Sequence, residues 1–171
     1  MNKSKKKIKA ILLSAGFGKR LRPLTLNTPK CLVSINGEPL IIKWLKKLEE
    51  IGCEEVIINT HYLASKVEEV IKEWDQTRLK VKITYEEELL GTAGTLRNNL
   101  NFFKDSIGLL IHTDNVTSMH LKDFLNAHFS RDMNCILSMV TFLSETPERC
   151  GVVKTDKNGI LIDYFEKVNS D

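Results

Sequence analysis

The sequence predicts an α/β fold, a three-layer α/β/α domain around a mainly parallel, twisted sheet. Three observations carry this. Short, continuous apolar runs recur along the chain, the pattern of strands covered on both faces. Segments of helical period separate these runs, as in βαβ units. Two of the runs end in residues able to do chemistry, and parallel sheets bind ligands just outside the carboxyl ends of their strands.

In order, IKAILL over 8–13 reads as a strand that runs straight into glycines. Over 39–51 the sequence PLIIKWLKKLEEI places Leu40, Ile41, Trp44, Leu45 and Leu48 near one helical face, and Gly52 supplies a stop. Residues 56–59 form a second strand, and 63–74 a second helix with Val67, Val70 and Ile71 inward. Val81, Ile83 and Tyr85 alternate with polar residues as a third strand, before a short helix over 94–103. Residues 107–111 form a further buried strand and 121–129 a helix. Strands at 135–142 and 151–154 lead to a final pair around 158–165. No repeat, low-complexity tract or Pro/Gly/Ser linker interrupts the chain, so one domain is expected over 1–171. Lys3, Lys5, Lys6 and Lys7 make residues 1–7 a flexible, solvated basic arm.

Composition narrows the function classes. With 171 residues, 42% hydrophobic and 27% charged, the chain can bury a sizeable core and is neither disordered nor membrane-like. A net charge of +3 without basic stripes argues against a nucleic-acid partner. No run reaches the roughly 18 apolar residues of a membrane span, so no membrane partner is expected. The first apolar run is too short for a secretory signal. The four cysteines show neither metal spacing nor a dense disulfide framework, so a reduced cytoplasm is the expected compartment. His61, His112, His120 and His128 offer no zinc-ligand spacing.

The segment SAGFGKRLRPLTLNTPK follows the first strand directly. Gly16 and Gly18 let main-chain N–H groups approach an anion, and Lys19, Arg20, Arg22 and Lys30 add fixed positive charge. A triphosphate needs that combination. A Walker loop does not fit, because Gly18-Lys19 is followed by Arg20 rather than Ser or Thr. A dinucleotide fingerprint does not fit either, since Leu21 stands where its third glycine belongs and Pro23 forbids a regular helix interior. On composition alone a solvated basic loop remains the alternative. Asp114 closes the apolar run GLLIH, where one carboxylate could hold Mg²⁺ or merely cap a turn. In Leu90-Gly91-Thr92-Ala93-Gly94-Thr95, helix capping would explain the threonines but not the small residues, which let a flat base lie against backbone.

Taken together, LLSAGFGKRLRPLTLNTPKCL resembles the signature of the sugar-1-phosphate nucleotidyltransferases, which join a nucleoside triphosphate and a sugar 1-phosphate and release pyrophosphate. The resemblance runs over essentially the whole chain and implies a Rossmann-like, GT-A-like sheet. It implies that Arg20 binds the triphosphate and leaving pyrophosphate, that Lys30 binds phosphates near the reacting centre, and that Asp114, in IHTDN, holds Mg²⁺. Ala15, Gly16, Gly18 and Lys19 belong to the nucleotide loop. LGTAG resembles the family's nucleotide and sugar element, so Gly91, Thr92 and Gly94 join the nucleotide site. Cys150-Gly151-Val152-Val153 and Glu166-Lys167-Val168 resemble its sugar-side elements, which assigns Gly151, Glu166 and Lys167 to the sugar phosphate. Lys19, Cys31 and Val168 depart from the usual Thr/Ser, Pro and Pro.

The chemistry suits this set. A sugar 1-phosphate is already anionic, so attack on the α-phosphorus needs positioning and charge neutralisation rather than a strong base. The glycine cluster and the Asp-Asn pair look most like mannose-1-phosphate guanylyltransferases, which favours GTP and a mannose- or glucose-type sugar. The family takes a second acidic metal ligand from beyond its Glu-Lys-Pro element, and this sequence stops at Asp171. The expectation is therefore a catalytic domain truncated at its C-terminus, or a naturally short member of the family, in either case with weak or no turnover and nucleotide binding retained. Family members are commonly dimers or larger, which leaves room for a homo-oligomer. The alternative function is a catalytically silent, nucleotidyltransferase-like regulatory or binding subunit. A glycosyltransferase would want an Asp-x-Asp motif, and Thr113-Asp114-Asn115 has no second carboxylate at that spacing.

Overall fold

The first apolar run becomes β1 (Lys7–Leu13), the strand around which the main sheet is assembled. The computed structural model describes residues 6–74 and 78–166. Residues 14–32 leave β1 as three short 3₁₀ turns joined by irregular chain. A minimal hairpin follows, β2 (Ser34–Ile35) against β3 (Glu38–Pro39). Asn36 and Gly37 turn it with φ of 55° and 79°, as a tight two-residue hairpin turn requires. The order continues α1 (Leu40–Glu50), β4 (Glu55–Thr60), α2 (Ala64–Glu73), β5 (Lys80–Tyr85), α3 (Gly91–Asn98), β6 (Ser106–His112) and α4 (Leu121–Ser130). The helix expected over 94–103 starts three residues earlier (94 − 91) and breaks after Asn98 into a 3₁₀ turn, Leu100–Phe103.

The main sheet is four-stranded and wholly parallel in the order β5-β4-β1-β6. Ala10 of β1 faces Val56 of β4 on one side and Leu109 of β6 on the other. That register sets Ile8, Ala10, Leu12, Val56, Ile58 and Leu109 on one face. There they bury against the apolar stripes of α1 (Ile41, Trp44, Leu45, Leu48), α2 (Val67, Ile71) and the start of α4 (Leu121, Leu125). The alternate residues form the other face, where Ile11 and Ile57 are buried. Phe103 packs so closely on Gly108 that a Cβ there would lie 2.8 Å from its ring. The Lys9 ammonium sits 4.7 Å from the centre of the Phe102 ring and 2.9 Å from Glu55. The expected three layers are thus in place.

Where the sequence predicts one domain, the chain forms two compact units, residues 1–126 and 127–171. Of the expected basic arm, residues 1–5 lie outside the described residues. Lys7 belongs to β1, paired in register with Ser106 and 3.0 Å from Glu54. In the second unit β7 (Val152–Thr155) and β8 (Leu161–Phe165) form an antiparallel hairpin. The strand expected over 135–142 does not form; Ile136 is 90% and Phe142 79% exposed. A continuous apolar run becomes a strand only where a neighbouring strand pairs with its backbone and its faces are covered, and among the described residues of its own unit only β7 and β8 pair, with each other. Among the described residues no helix is long and apolar enough to cross a membrane.

Candidate functional site

A cavity of about 570 Å³ opens at the carboxyl ends of β1, β4, β5 and β6, inside the roughly 300–1,000 Å³ range of ligand pockets. Its residues all come from the first unit. The loop after β1 forms one wall, with Ala15, Gly16, Gly18, Lys19, Arg20 and Lys30. Gly91 and Thr92 at the start of α3 contribute another, and Asp114 a third. The sequence-predicted nucleotide residues therefore converge, with the exception of Gly94, which does not line the cavity. A Cβ on Gly94 would lie 2.9 Å from that of Leu90, so packing within the segment explains that glycine.

The two loop glycines have different causes. Gly18 has φ 62°, and a Cβ there would meet Thr25 Cγ2 at 3.0 Å. The tight conformation is held by Thr25 Oγ1, which donates to the Gly18 carbonyl at 2.8 Å. Tyr62 in turn ties the loop down by donating its hydroxyl to the carbonyls of Thr25 and Leu26, at 3.0 and 2.8 Å. Gly16 is required by neither backbone nor packing, because a Cβ there would meet nothing within 4 Å. It leaves open space where the loop lines the cavity.

Charge is arranged asymmetrically. Lys30 Nζ pairs with Asp114 Oδ2, both side chains about one-third exposed. Lys19 lies 5.4 Å from the centre of the Phe17 ring. Arg20 is exposed and has no hydrogen bond or ion pair among the described residues, so its guanidinium is free to meet an anion. Asp114 and Glu86 are the carboxylates that line the cavity, and among the described residues no group of three or more His, Cys, Asp or Glu side chains could hold a metal. Mg²⁺ takes one or two carboxylates and completes its shell with phosphate oxygens and water. Glu86 is held by Asn59, Thr95 and the Leu90 N–H, so Asp114 is the carboxylate whose place beside room for phosphates fits that ion.

Beneath the cavity runs a set of polar side chains that sequence reasoning missed. The Ser14 N–H donates to Asn59 Oδ1 at 2.7 Å, and Ser14 Oγ lies 2.7 Å from Thr113 Oγ1. Asn59 Nδ2 donates to Glu86 Oε1 at 2.9 Å and to Thr95 Oγ1 at 3.2 Å. Thr95 Oγ1 also donates to Glu86 Oε1 at 2.5 Å, while Glu86 Oε2 accepts from the Leu90 N–H at 3.3 Å. Side chains from β4 and the residues just beyond β1, β5 and β6 are thus laced in sheet order. The available signal was position: Asn59 and Glu86 are polar residues at the ends of strands and are nevertheless buried. Cys31, next to Lys30, is also buried, and burial pushes its thiol up to about 12.

The sugar-side assignments divide differently. Gly151 and Glu166 belong to the second unit, and Lys167 lies outside the described residues. A Cβ on Gly151 would lie 2.6 Å from the Tyr164 hydroxyl, so a larger residue there would displace the end of that exposed side chain on β8.

The family described as Nucleotidyl transferase matches residues 9–170. Mannose-1-phosphate guanylyltransferase 1 of Arabidopsis thaliana is 34% identical over 163 residues, covering 92% of this chain and 44% of that protein. The catalytic subunit beta of mannose-1-phosphate guanylyltransferase from Drosophila pseudoobscura pseudoobscura is 32% identical over 162 residues, covering 93% and 43%. The chain therefore spans under half the length of these curated relatives. A putative glucose-1-phosphate thymidylyltransferase from Bacillus anthracis, solved with a sucrose, shares the fold with a TM-score of 0.78 at 21% identity, over 95% of this chain and 65% of that one. Matched from residue 9 to residue 170, on a parallel sheet whose strand ends hold the loop that carries its signature, this chain belongs to the nucleotidyl transferase family.

Proposed function

We propose that the protein transfers a nucleoside monophosphate from GTP to a sugar 1-phosphate of the mannose or glucose type, releasing pyrophosphate. A phosphate oxygen of the sugar 1-phosphate forms a bond to the α-phosphorus as the bond from that phosphorus to the bridging oxygen breaks. The bonding electrons leave with pyrophosphate. The observation that carries this is the cavity itself, which sets Arg20, without a partner among the described residues, and the Lys30–Asp114 pair around open space beside Gly16. Arg20 and the N–H groups of residues 15–19 receive the β- and γ-phosphates, and Lys30 the phosphates at the reacting centre. Gly91 and Thr92 form the wall for the base. Asp114 would hold Mg²⁺, which would supply charge neutralisation on the phosphates. Gly151, Glu166 and Lys167 are assigned to the sugar phosphate by motif. The names of the curated relatives support GTP and mannose 1-phosphate. A cytoplasmic site of action accords with the demand for nucleoside triphosphate, and assembly into a homo-oligomer is open to measurement.

The test measures pyrophosphate release and nucleotide binding with four NTPs and several sugar 1-phosphates in the presence of Mg²⁺. GTP should be preferred, and Asp114→Asn should remove the metal-dependent part of both signals. Undiminished metal-dependent binding in that variant would sink the assignment.

A further inference from the structure

Trp44 lies in the first half of α1, on the face turned to the sheet, and is buried. Its ring could fill that place with no polar consequence, as a phenylalanine would. Instead the indole N–H is shared between two backbone carbonyls, those of Thr113 and Asn115, each at 3.1 Å. These carbonyls flank Asp114. The Thr113 N–H extends the β6 pairing by donating to the Leu13 carbonyl at 3.2 Å, and the Asn115 N–H closes a turn on the His112 carbonyl at 3.1 Å. Neither carbonyl has another hydrogen-bond donor among the described residues. The turn is therefore held from the helix side by a single donor, and the only side chain between its two anchor points is the Asp114 carboxylate.

We propose that Trp44 is a positioning residue for Asp114: by binding both flanking carbonyls, its indole N–H fixes the turn that presents the carboxylate to the cavity. The proposal rests on the reading of Asp114 as the metal-facing group. A buried indole N–H finds some partner in any fold. What distinguishes this one is that both partners belong to the turn that carries the charged group. Partners one step removed from a metal ligand typically change metal affinity by about 10–100-fold when lost.

The test compares Trp44→Phe, Asp114→Asn and Leu48→Ala in the full chain. Leu48 is a fully buried residue of the same helix, so its truncation costs stability without touching the turn. GTP binding is titrated calorimetrically with Mg²⁺ and with EDTA, and amide exchange is followed by NMR in the ligand-free protein. Trp44→Phe should cut the Mg²⁺-dependent gain in GTP affinity on the order of tenfold. Binding in EDTA should hardly change. The Asn115 amide should exchange faster relative to Val56 in the core. Leu48→Ala should leave the Mg²⁺-dependent gain intact and should not single out Asn115. A wild-type gain and wild-type Asn115 exchange in Trp44→Phe, with the gain lost in Asp114→Asn, would overturn the positioning role alone. An equal loss in Leu48→Ala would overturn it as well. A gain that survives in Asp114→Asn would remove the reading of Asp114, and the proposal with it.

Discussion

Replacing Asn59 with aspartate changes one atom's chemistry and almost none of its shape, and the structure sets both the size and the sign of the effect. Asn59 Nδ2 donates to Glu86 Oε1 at 2.9 Å, and Asn59 Oδ1 accepts from the Ser14 N–H. In Asn59→Asp the Oδ1 role survives, but the other oxygen faces the Glu86 carboxylate. Two unit charges at that spacing repel by about 6 kcal/mol at an effective dielectric of 20. Taking up one proton costs less: from an ordinary carboxyl pKa near 3.9, about 4 kcal/mol at pH 7 and about 1.5 kcal/mol at pH 5. The pair therefore takes up a proton, which stands in for the lost amide hydrogen. Its folded-state pKa is raised, so the variant matches the wild type below about pH 4 and loses stability as pH rises through the folded pKa. Urea unfolding of both proteins, followed by circular dichroism, should show a deficit larger at pH 7 than at pH 5 by about 2.7 kcal/mol. An equal deficit at the two pH values would refute the adjacency of the two side chains.

Three further outcomes are expected. Gly18→Ala forces a side chain into a positive-φ position against Thr25 and should cost about 1–3 kcal/mol in denaturant unfolding, whereas Gly16→Ala, with nothing within 4 Å, should leave stability unchanged and weaken GTP binding. Arg20→Ala should raise the KM for nucleoside triphosphate on the order of tenfold or more, the loss of one charge-assisted phosphate contact, while the melting temperature stays within a degree or two. Burial pushes the thiols of Cys31 and Cys53 up to about 12. In the native protein an alkylating reagent at pH 8 should therefore spare both of them and modify them after unfolding. The stability these thiols contribute is full below pH 9 and is lost toward pH 12, so Cys53→Ala should flatten the alkaline limb of an unfolding curve.

The parts of this molecule that were legible in the sequence are those in which one residue type has one job. The run 8–13 is apolar because β1 lies inside a parallel sheet and is covered on both faces; 107–111 also forms a strand, β6, but at the edge of the four strands, where Leu110 stays exposed. The inward stripe of α1 was visible because Leu40, Ile41, Trp44, Leu45 and Leu48 recur at helical spacing. The glycine-rich loop was legible from spacing. The run 135–142 shows the limit, since its composition describes what a strand needs without supplying neighbours. The Asn36-Gly37 turn was passed over because the strands it joins, β2 and β3, are only two residues each. The roles of Asn59, Glu86 and Thr95 could not be read from local pattern: each becomes meaningful only through partners brought from elsewhere in the chain. At Gly94 and Gly151 a packing reason for glycine stands beside the motif, since a Cβ there would crowd Leu90 or Tyr164.

β1 is the first strand in the chain and lies in the interior of the sheet, and this order has a kinetic consequence. The side chain that caps its end on one side lies 45 residues later, and the one on the other side 99 residues later. An apolar strand made first must wait for both neighbours, so early chains expose their stickiest segment for longest. The Lys30–Asp114 pair, separated by 84 residues, forms only once the second neighbour has docked. The cavity is then completed late in folding, and a nucleotide that bound it as proposed would pull trailing molecules toward completion.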